Sequence, residues 1–552
     1  MIVDRLAYAG LVVLALSLGL GDIAQVTLLD VVVLSAVRGL LPVVLGLALL
    51  AAIAQRRRPA FAASLALPVA AWLSVLVLSA VLAPSYRSEA LASLERPASG
   101  ALLAWAVFEL CRTEARWRRV ARAVALGGVA IALVGLGEAS GAPLVGGWIA
   151  VLHDGPIPIG DVPRITSTLS HPNEAAMLLE LSLPLLVAWA WTAPQPWRTP
   201  LSMAVPGVLL GIVLTFSRAG VAAALAALTV MAGVSSRCQE RGYVRPLATA
   251  ALIVPLALVW ASQADPGLNR RLTAGVDEAS PGQPSRIEFW TAALDMLRDR
   301  PLLGVGPDNF RWQFVSYSGV AENNLGIHAH DQYVEALADT GILGLLSLAW
   351  LLARLVRHAS DGVRLATTSA EWPWRAALLA SLSAWLLHAL LDDFERFWPT
   401  SVAFWLIAGL SLRACAAGSA VEQPEDQSDD RDHHEQDQDA RRTGQRGAAP
   451  AAAAEAHHAA IVRPRLTRVQ ATFGTPSAAL AGMPEDVQHD RVKRLQADGA
   501  WIVEVLPEDE YEREHLVGAL NLPLHELTRA AADRVLGGDR ARPVVVYCQD
   551  VE

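Results

Sequence analysis

Long apolar runs fill residues 1–413, and they constrain the fold more than any other feature of this chain. A helix that crosses a bilayer needs about 20 mostly apolar residues, with a range of roughly 17–25. Candidate runs lie near residues 6–21, 31–54, 59–83, 99–111, 120–137, 174–192, 201–217, 218–234, 246–262, 341–356, 375–391 and 398–413. They predict an all-α polytopic membrane bundle of about twelve spans. The first run is followed by many others, so it reads as a first span and not as a cleaved leader. Hydrophobic residues make up 53% of the chain and aromatic ones only 6%, so the apolar mass is Leu, Ala and Val, as in lipid-facing helices.

The pattern breaks at residue 414. From there to residue 552 the chain is dense in Asp, Glu, Arg and His, which predicts a soluble tail. The net charge of −9 belongs largely to this tail, and no nucleic-acid partner is expected. Lys493 is the lone lysine; the other cations are arginines. The four cysteines, Cys111, Cys238, Cys415 and Cys548, have no familiar metal spacing.

Orientation follows from Arg-rich loops, because short cytoplasmic loops collect positive charge. Basic knots occur at Arg56–Arg58, Arg112–Arg122, Arg237–Arg245 and Arg354–Arg364. All four fall on one side if 201–234 is a tight helical pair with Thr215-Phe216-Ser217-Arg218 at its tip. Both termini are then cytoplasmic. The outer face receives the loop 138–173, the Arg218 tip, a large segment 263–340 and the short loop Asp392-Asp393-Phe394-Glu395-Arg396. Ionisable groups at a membrane edge are costly and point to function.

Four segments carry the chemistry. Arg164-Ile165-Thr166-Ser167-Thr168-Leu169-Ser170-His171-Pro172-Asn173 runs into an apolar helix, with Pro in the first turn. Arg218 stands at the outer end of a span, against the positive-inside trend, and offers an always-charged fork for phosphate. Arg286 opens an amphipathic stretch with Ile287, Trp290, Ala293, Leu294 and Leu297 on one stripe, followed by the turn Pro301-Leu302-Leu303-Gly304-Val305-Gly306-Pro307. His328-Ala329-His330-Asp331-Gln332-Tyr333 precedes Gly341-Ile342-Leu343-Gly344 and the next span. A proton-accepting histidine suits this setting better than a metal site, since no outer cysteine accompanies the pair.

Together these segments resemble the family of O-antigen ligases and O-antigen polymerases, over roughly residues 60–413. The family shows a "His-Pro-Asn" helix, a "Ser-Arg-Gly" tip, a "Pro-Leu-Leu-Gly-Val-Gly-Pro-x-x-Phe" turn and a "His-Asn-x-Tyr-Leu … Gly-x-x-Gly" segment. Here Ala219 and Asp331 replace the Gly and the Asn. The resemblance implies a metal-independent glycosyltransferase of a bacterial cytoplasmic membrane, with no cofactor. It would move a glycan from an undecaprenyl-diphosphate-type carrier to a glycan, lipid or protein acceptor on the outer face. His330, Arg218 and Arg286 are the implied catalytic residues. Arg164, His171, His328, Asp392 and Asp393 are the implied substrate-binding residues.

The tail divides again. Residues 414–475 are too polar and Ala-rich to bury a core, and read as disordered linker. In 476–552, Ala500–Val505 and Pro543–Cys548 read as buried strands around a helix opened by Pro507. This order resembles a small α/β rhodanese-like domain, in which Cys548 takes the place of the persulfide carrier. Glu504 and Leu506 depart from that family's "Asp-x-Arg" element, and four residues follow Cys548. The expectation is an incomplete module without sulfurtransferase activity. Two other readings stand beside the transferase: a lipid-glycan flippase, which needs an internal repeat this chain lacks, and a membrane sulfur or redox sensor led by the tail.

Overall fold

The computed structural model describes residues 2–21, 26–28, 32–56, 63–143, 145–147, 158–159, 162–237, 284–319, 328–419, 500–504, 519–522 and 544–547. The apolar run 246–262, most of the linker, Cys238 and Cys548 lie outside them. Two compact units divide the chain near Pro424.

The first unit is a helical bundle. Its helices are α1 Ile2–Ser17, α2 Ala36–Ala54, α3 Ala63–Val81, α4 Arg87–Ser93, α5 Glu95–Leu110, α6 Glu114–Ala139, α7 Pro172–Thr192, α8 Arg198–Leu214, α9 Arg218–Arg237, α10 Arg286–Asp299, α11 Phe310–Ser318, α12 Gln332–Arg364, α13 Trp372–His388 and α14 Trp398–Ser419. Two small hairpins, β1 Val26–Leu28 with β2 Val32–Leu34 and β3 Pro158–Ile159 with β4 Val162–Pro163, complete it. Among the described residues, seven helices are long and apolar enough to cross a membrane: those of α1, α2, α6, α7, α9, α12 and α14. The apolar helices at 65–81 and 198–214 are shorter.

Capping residues set several starts. Ser35 accepts from the Arg38 N–H, Thr113 from Arg116, and Asp331 from Tyr333 and Val334. Ser285 and Glu288 form a reciprocal capping box on α10. The helix α14 continues past residue 413 to Ser419, so the expected linker starts later, as helix-favouring alanines prolong the last turns.

Helix α7 is buried along almost its whole length, between α6, α8, α9 and α13. By contrast α2 and α3 expose Val43, Leu50, Ile53, Leu67 and Leu82 nearby, the dress of helices that face lipid. The expected pair within 201–234 is real: α8 stops at Leu214, Phe216 takes a left-handed φ of 51°, and α9 starts at Arg218.

One long span is broken. Gly341 has φ 66° and ψ −166° inside α12, so Gln332–Thr340 and the following helix are separate pieces. The turn after α10 packs against this break, backbone on backbone. Val305 and Gly306 donate to the Ala338 and Asp339 carbonyls at 3.0 and 2.8 Å, and Ile342 donates to Pro301 at 2.9 Å. A Cβ on Gly341 would lie 2.4 Å from Leu302 C, and one on Gly304 2.3 Å from Asp339 C. Only glycine permits both the approach and the left-handed angles.

In the second unit β5 Trp501–Glu504 lies between β6 Leu520–Asn521 and β7 Val544–Tyr547, all parallel. Val503, Leu522 and Ala500 are buried beside it.

Candidate active site

The segment leading into α7 is laid against the α8–α9 tip. Ile165 donates to the Leu214 carbonyl at 3.2 Å, and Arg164 Nε to the Thr215 carbonyl at 2.8 Å. Glu138, at the end of α6, accepts from the Thr166 and Ser167 N–H groups and fixes the bend before α7. His171 is the N-cap, its Nδ1 accepting from the Asn173 N–H at 3.2 Å.

From Asn173 the network crosses the bundle. Arg164 Nη2 donates to Asn173 Oδ1 at 2.8 Å, and Asn173 Nδ2 donates to Asp392 Oδ2 at 2.5 Å. Asp392 Oδ1 meets His330 Nδ1 at 3.2 Å. His330 has a left-handed φ of 50° and its ring lies 5.6 Å from that of Phe289 on α10. Arg286, one helical turn before Phe289, sends Nη1 to the carbonyls of His330 and Leu391, at 2.9 and 2.7 Å. Arg218 opens α9 three residues after Thr215, the residue whose carbonyl holds Arg164. Arg164, His171, Arg218, Arg286, His330 and Asp392 therefore share one site.

Its electrostatics follow from burial. Burial lowers the Arg286 pKa, Arg218 adds to that effect, and Asp392 opposes it. Burial also pushes His171 down to about 4, against the pull of Asp392, so this imidazole is neutral at neutral pH. Burial would raise Asp392, but the hydrogen bond from His330 and the neighbouring imidazoles of His330, His171 and His388 hold it well below the usual carboxylate range. The result is an ionised acid hydrogen-bonded to His330, whose carbonyl holds the Arg286 guanidinium.

His328 and Asp393 belong elsewhere. Although two residues from His330, His328 is 2% exposed and pairs with Glu335, with Asp393 Oδ2 3.5 Å from the same nitrogen. Burial pushes His328 down to about 3 and Asp393 up to about 7. The two imidazoles have different partners, Asp392 and Phe289 for His330 and Glu335 for His328. Asp308, His328 and Glu335 each bring one potential ligand atom within 4.8 Å of the others, the only set among the described residues that could hold a cation. Beside it lies a cavity of about 120 Å³, with Trp72, Trp385 and Trp405 on its walls and Arg96, Asp308 and Glu395 among its polar lining.

The α10 stripe expected from the sequence holds in part: Ala293 is buried and Trp290 packs on the same cluster, but two members face outward. Ile287 and Leu294 are 48% and 47% exposed, while Phe289, Ala292, Ala293 and Met296 are buried. The inward face is set by Phe289, which packs on Phe314 and His330.

Arg218, Arg286 and His330 also fall inside one sequence match. Residues 203–349 match the O-antigen ligase family. The matched segment runs from within α8 to the middle of α12, while Arg164, His171 and Asp392 come from outside it. Residues 488–552 match the rhodanese-like domain. An HTH-type transcriptional regulator of Mycobacterium tuberculosis is 35% identical over 81 residues, 14% of this chain, and the chain spans about a third (34%) of that relative's length. An O-antigen ligase segment among helices of membrane length supports a glycan-transfer role in a multi-pass membrane protein.

Sequence reasoning passed over Asn173 and Glu335. Asn173 closes the "His-Pro-Asn" motif, which was a signal; Glu335 offered none, as it sits within an ordinary helical run.

Proposed function

We propose that this chain transfers a glycan from an undecaprenyl-diphosphate-type lipid to an acceptor hydroxyl at the outer face of the membrane. One observation carries the reading: Arg286 binds the backbone of His330 while His330 binds Asp392, and Asn173 and Arg164 link that acid to the α8–α9 tip where Arg218 stands. The Asp392 carboxylate keeps the His330 proton on Nδ1, so Nε2 is the basic nitrogen. The acceptor oxygen attacks the anomeric carbon and its proton passes to His330 Nε2. The bond from that carbon to the phosphate oxygen breaks, and the diphosphate leaves with the electron pair. Arg218 and Arg286 stabilise the developing charge, with bidentate forks suited to phosphate oxygens. No metal enters this chemistry. Arg164 and His171 build the floor of the site by holding Asn173; they do not touch the reacting atoms.

The test is transfer from a purified lipid-linked donor in liposomes. His330→Ala lowers the rate by about 10²–10⁴-fold while donor still binds. Arg218→Lys keeps the charge but loses the fork, and weakens donor use. Near-normal turnover of His330→Ala overturns the reading.

A further inference from the structure

Two ionisable side chains lie deeper than the site and have no part in the chemistry above. Glu180, in the middle of α7, and His388, the last residue of α13, are both fully buried, and His388 Nδ1 meets Glu180 Oε2 at 3.0 Å. Among the described residues, their other heteroatoms, Glu180 Oε1 and His388 Nε2, meet no hydrogen-bond partner. An ionisable pair inside a membrane bundle is costly, and a half-satisfied one costs more than an apolar replacement would. Stability does not account for it.

Its surroundings do. The His388 carbonyl accepts from the Leu391 N–H at 2.8 Å, and its ring lies edge-on to Phe394 with centroids 4.6 Å apart. The Leu391 carbonyl is one of the two that hold Arg286, and the next residue is Asp392. His388 is therefore the root of the loop that carries the site's acid, and Glu180 fixes the root. Asn173 stands on the same helix as Glu180, two turns nearer its start, and holds Asp392 itself. Helix α7 grips the loop at two points. The Ser381 hydroxyl, donating to the Leu181 carbonyl at 2.8 Å, ties the same two helices one step lower.

We propose that Glu180 and His388 are positioning residues for glycan transfer, a buried acid–imidazole couple that sets the Asp392 loop against α7. The proposal rests on the glycosyl-transfer reading above. It predicts an effect on turnover and not on donor capture, because the contacts of the pair run to each other and to the Leu391–Phe394 loop rather than to either guanidinium.

The experiment uses the full chain in liposomes with purified lipid-linked donor, rates being normalised to folded protein by gel filtration. Glu180→Ala lowers kcat about 10- to 100-fold, the scale of a displacement near 1 Å in a catalytic group. The donor KM stays within about threefold of the wild type. Glu180→Gln, which keeps an acceptor for the imidazole N–H, recovers most of the lost rate. Glu180→Ala/His388→Ala is no worse than the poorer single variant, as for two residues acting as one unit. A full kcat per folded molecule in Glu180→Ala, additive losses in the double variant, or failure of Glu180→Gln to recover would each overturn the proposal. Should Glu180→Ala not accumulate, His388→Asn carries the same kcat and KM comparison. His330→Ala, run alongside, separates the two ideas. If His330→Ala is active, the site reading falls; if it is inactive while Glu180→Ala keeps full kcat, only the positioning role falls.

Discussion

Asn173 joins the two halves of the site, and a one-atom change there tests the electrostatics directly. Its Oδ1 accepts from Arg164 and its Nδ2 donates to Asp392 Oδ2 at 2.5 Å. Asn173→Asp has the same shape but replaces the donor with a carboxylate oxygen. Two unit charges at the 2.5 Å of that contact repel by about 332/(20 × 2.5), roughly 6–7 kcal/mol at an effective dielectric of 20. The pair escapes by sharing a proton or by moving the loop, and in both cases His330 loses its ionised partner. Asn173→Ala removes the donor without adding charge. A hydrogen bond to a charged group contributes about 1.5–3 kcal/mol, so this variant slows transfer about 10- to 150-fold. Asn173→Asp is slower still at neutral pH. Relative to wild type at the same pH, it regains activity on acidification, since the bridging proton binds more readily; Asn173→Ala does not. Initial rates in liposomes from about pH 5 to 8, a span that brackets the histidine range, supply the data. If Asn173→Asp matches or exceeds Asn173→Ala at neutral pH, or shows no relative recovery, the ionised Asp392 behind His330 is wrong.

Three further outcomes are expected. Gly341→Ala destabilises the bundle by more than about 1 kcal/mol in detergent melts, because its new methyl meets the Leu302 backbone at a left-handed φ; a neutral effect refutes the backbone-on-backbone contact. His171 is lowered to about 4 from an ordinary 6.5, so its contribution is present above 6.5 and lost as pH falls towards 4; the wild type should lose stability relative to His171→Asn over that window, and a constant difference sinks the assignment. Deleting residues 420–552 should leave liposomal transfer intact, and a thiosulfate sulfurtransferase assay of the full chain should be unchanged by Cys548→Ser; loss of either activity would give the tail a role this reading denies it.

The helices were legible because bilayer-length apolar runs have few alternatives, and Arg218 because a lone cation at the wrong end of a span is conspicuous. His330 was legible as part of a motif. Its environment was not. Asp392 meets Asn173 across 219 residues of sequence, and His388 meets Glu180 across 208, and a single sequence carries no trace of such pairings. His328 and His330 look like one site because they are neighbours in sequence; their partners, Glu335 for one and Asp392 for the other, come from distant segments that the sequence does not pair. The α10 stripe is legible only in part, at Ala293 and Trp290, since Ile287 and Phe289 are equally apolar and only the partners Phe314 and His330 decide which faces in.

Six non-glycine residues of the described chain adopt left-handed φ, and Ser167, Phe216, Asp308 and His330 among them lie in the four segments that converge at one end of the bundle. Each such residue costs of order 1–3 kcal/mol and persists only where its surroundings leave no other choice. A frame built from these turns is fixed by the fold itself. A descendant of this chain would change its chemistry by exchanging the side chains that project from the frame, and would seldom survive changing the frame itself.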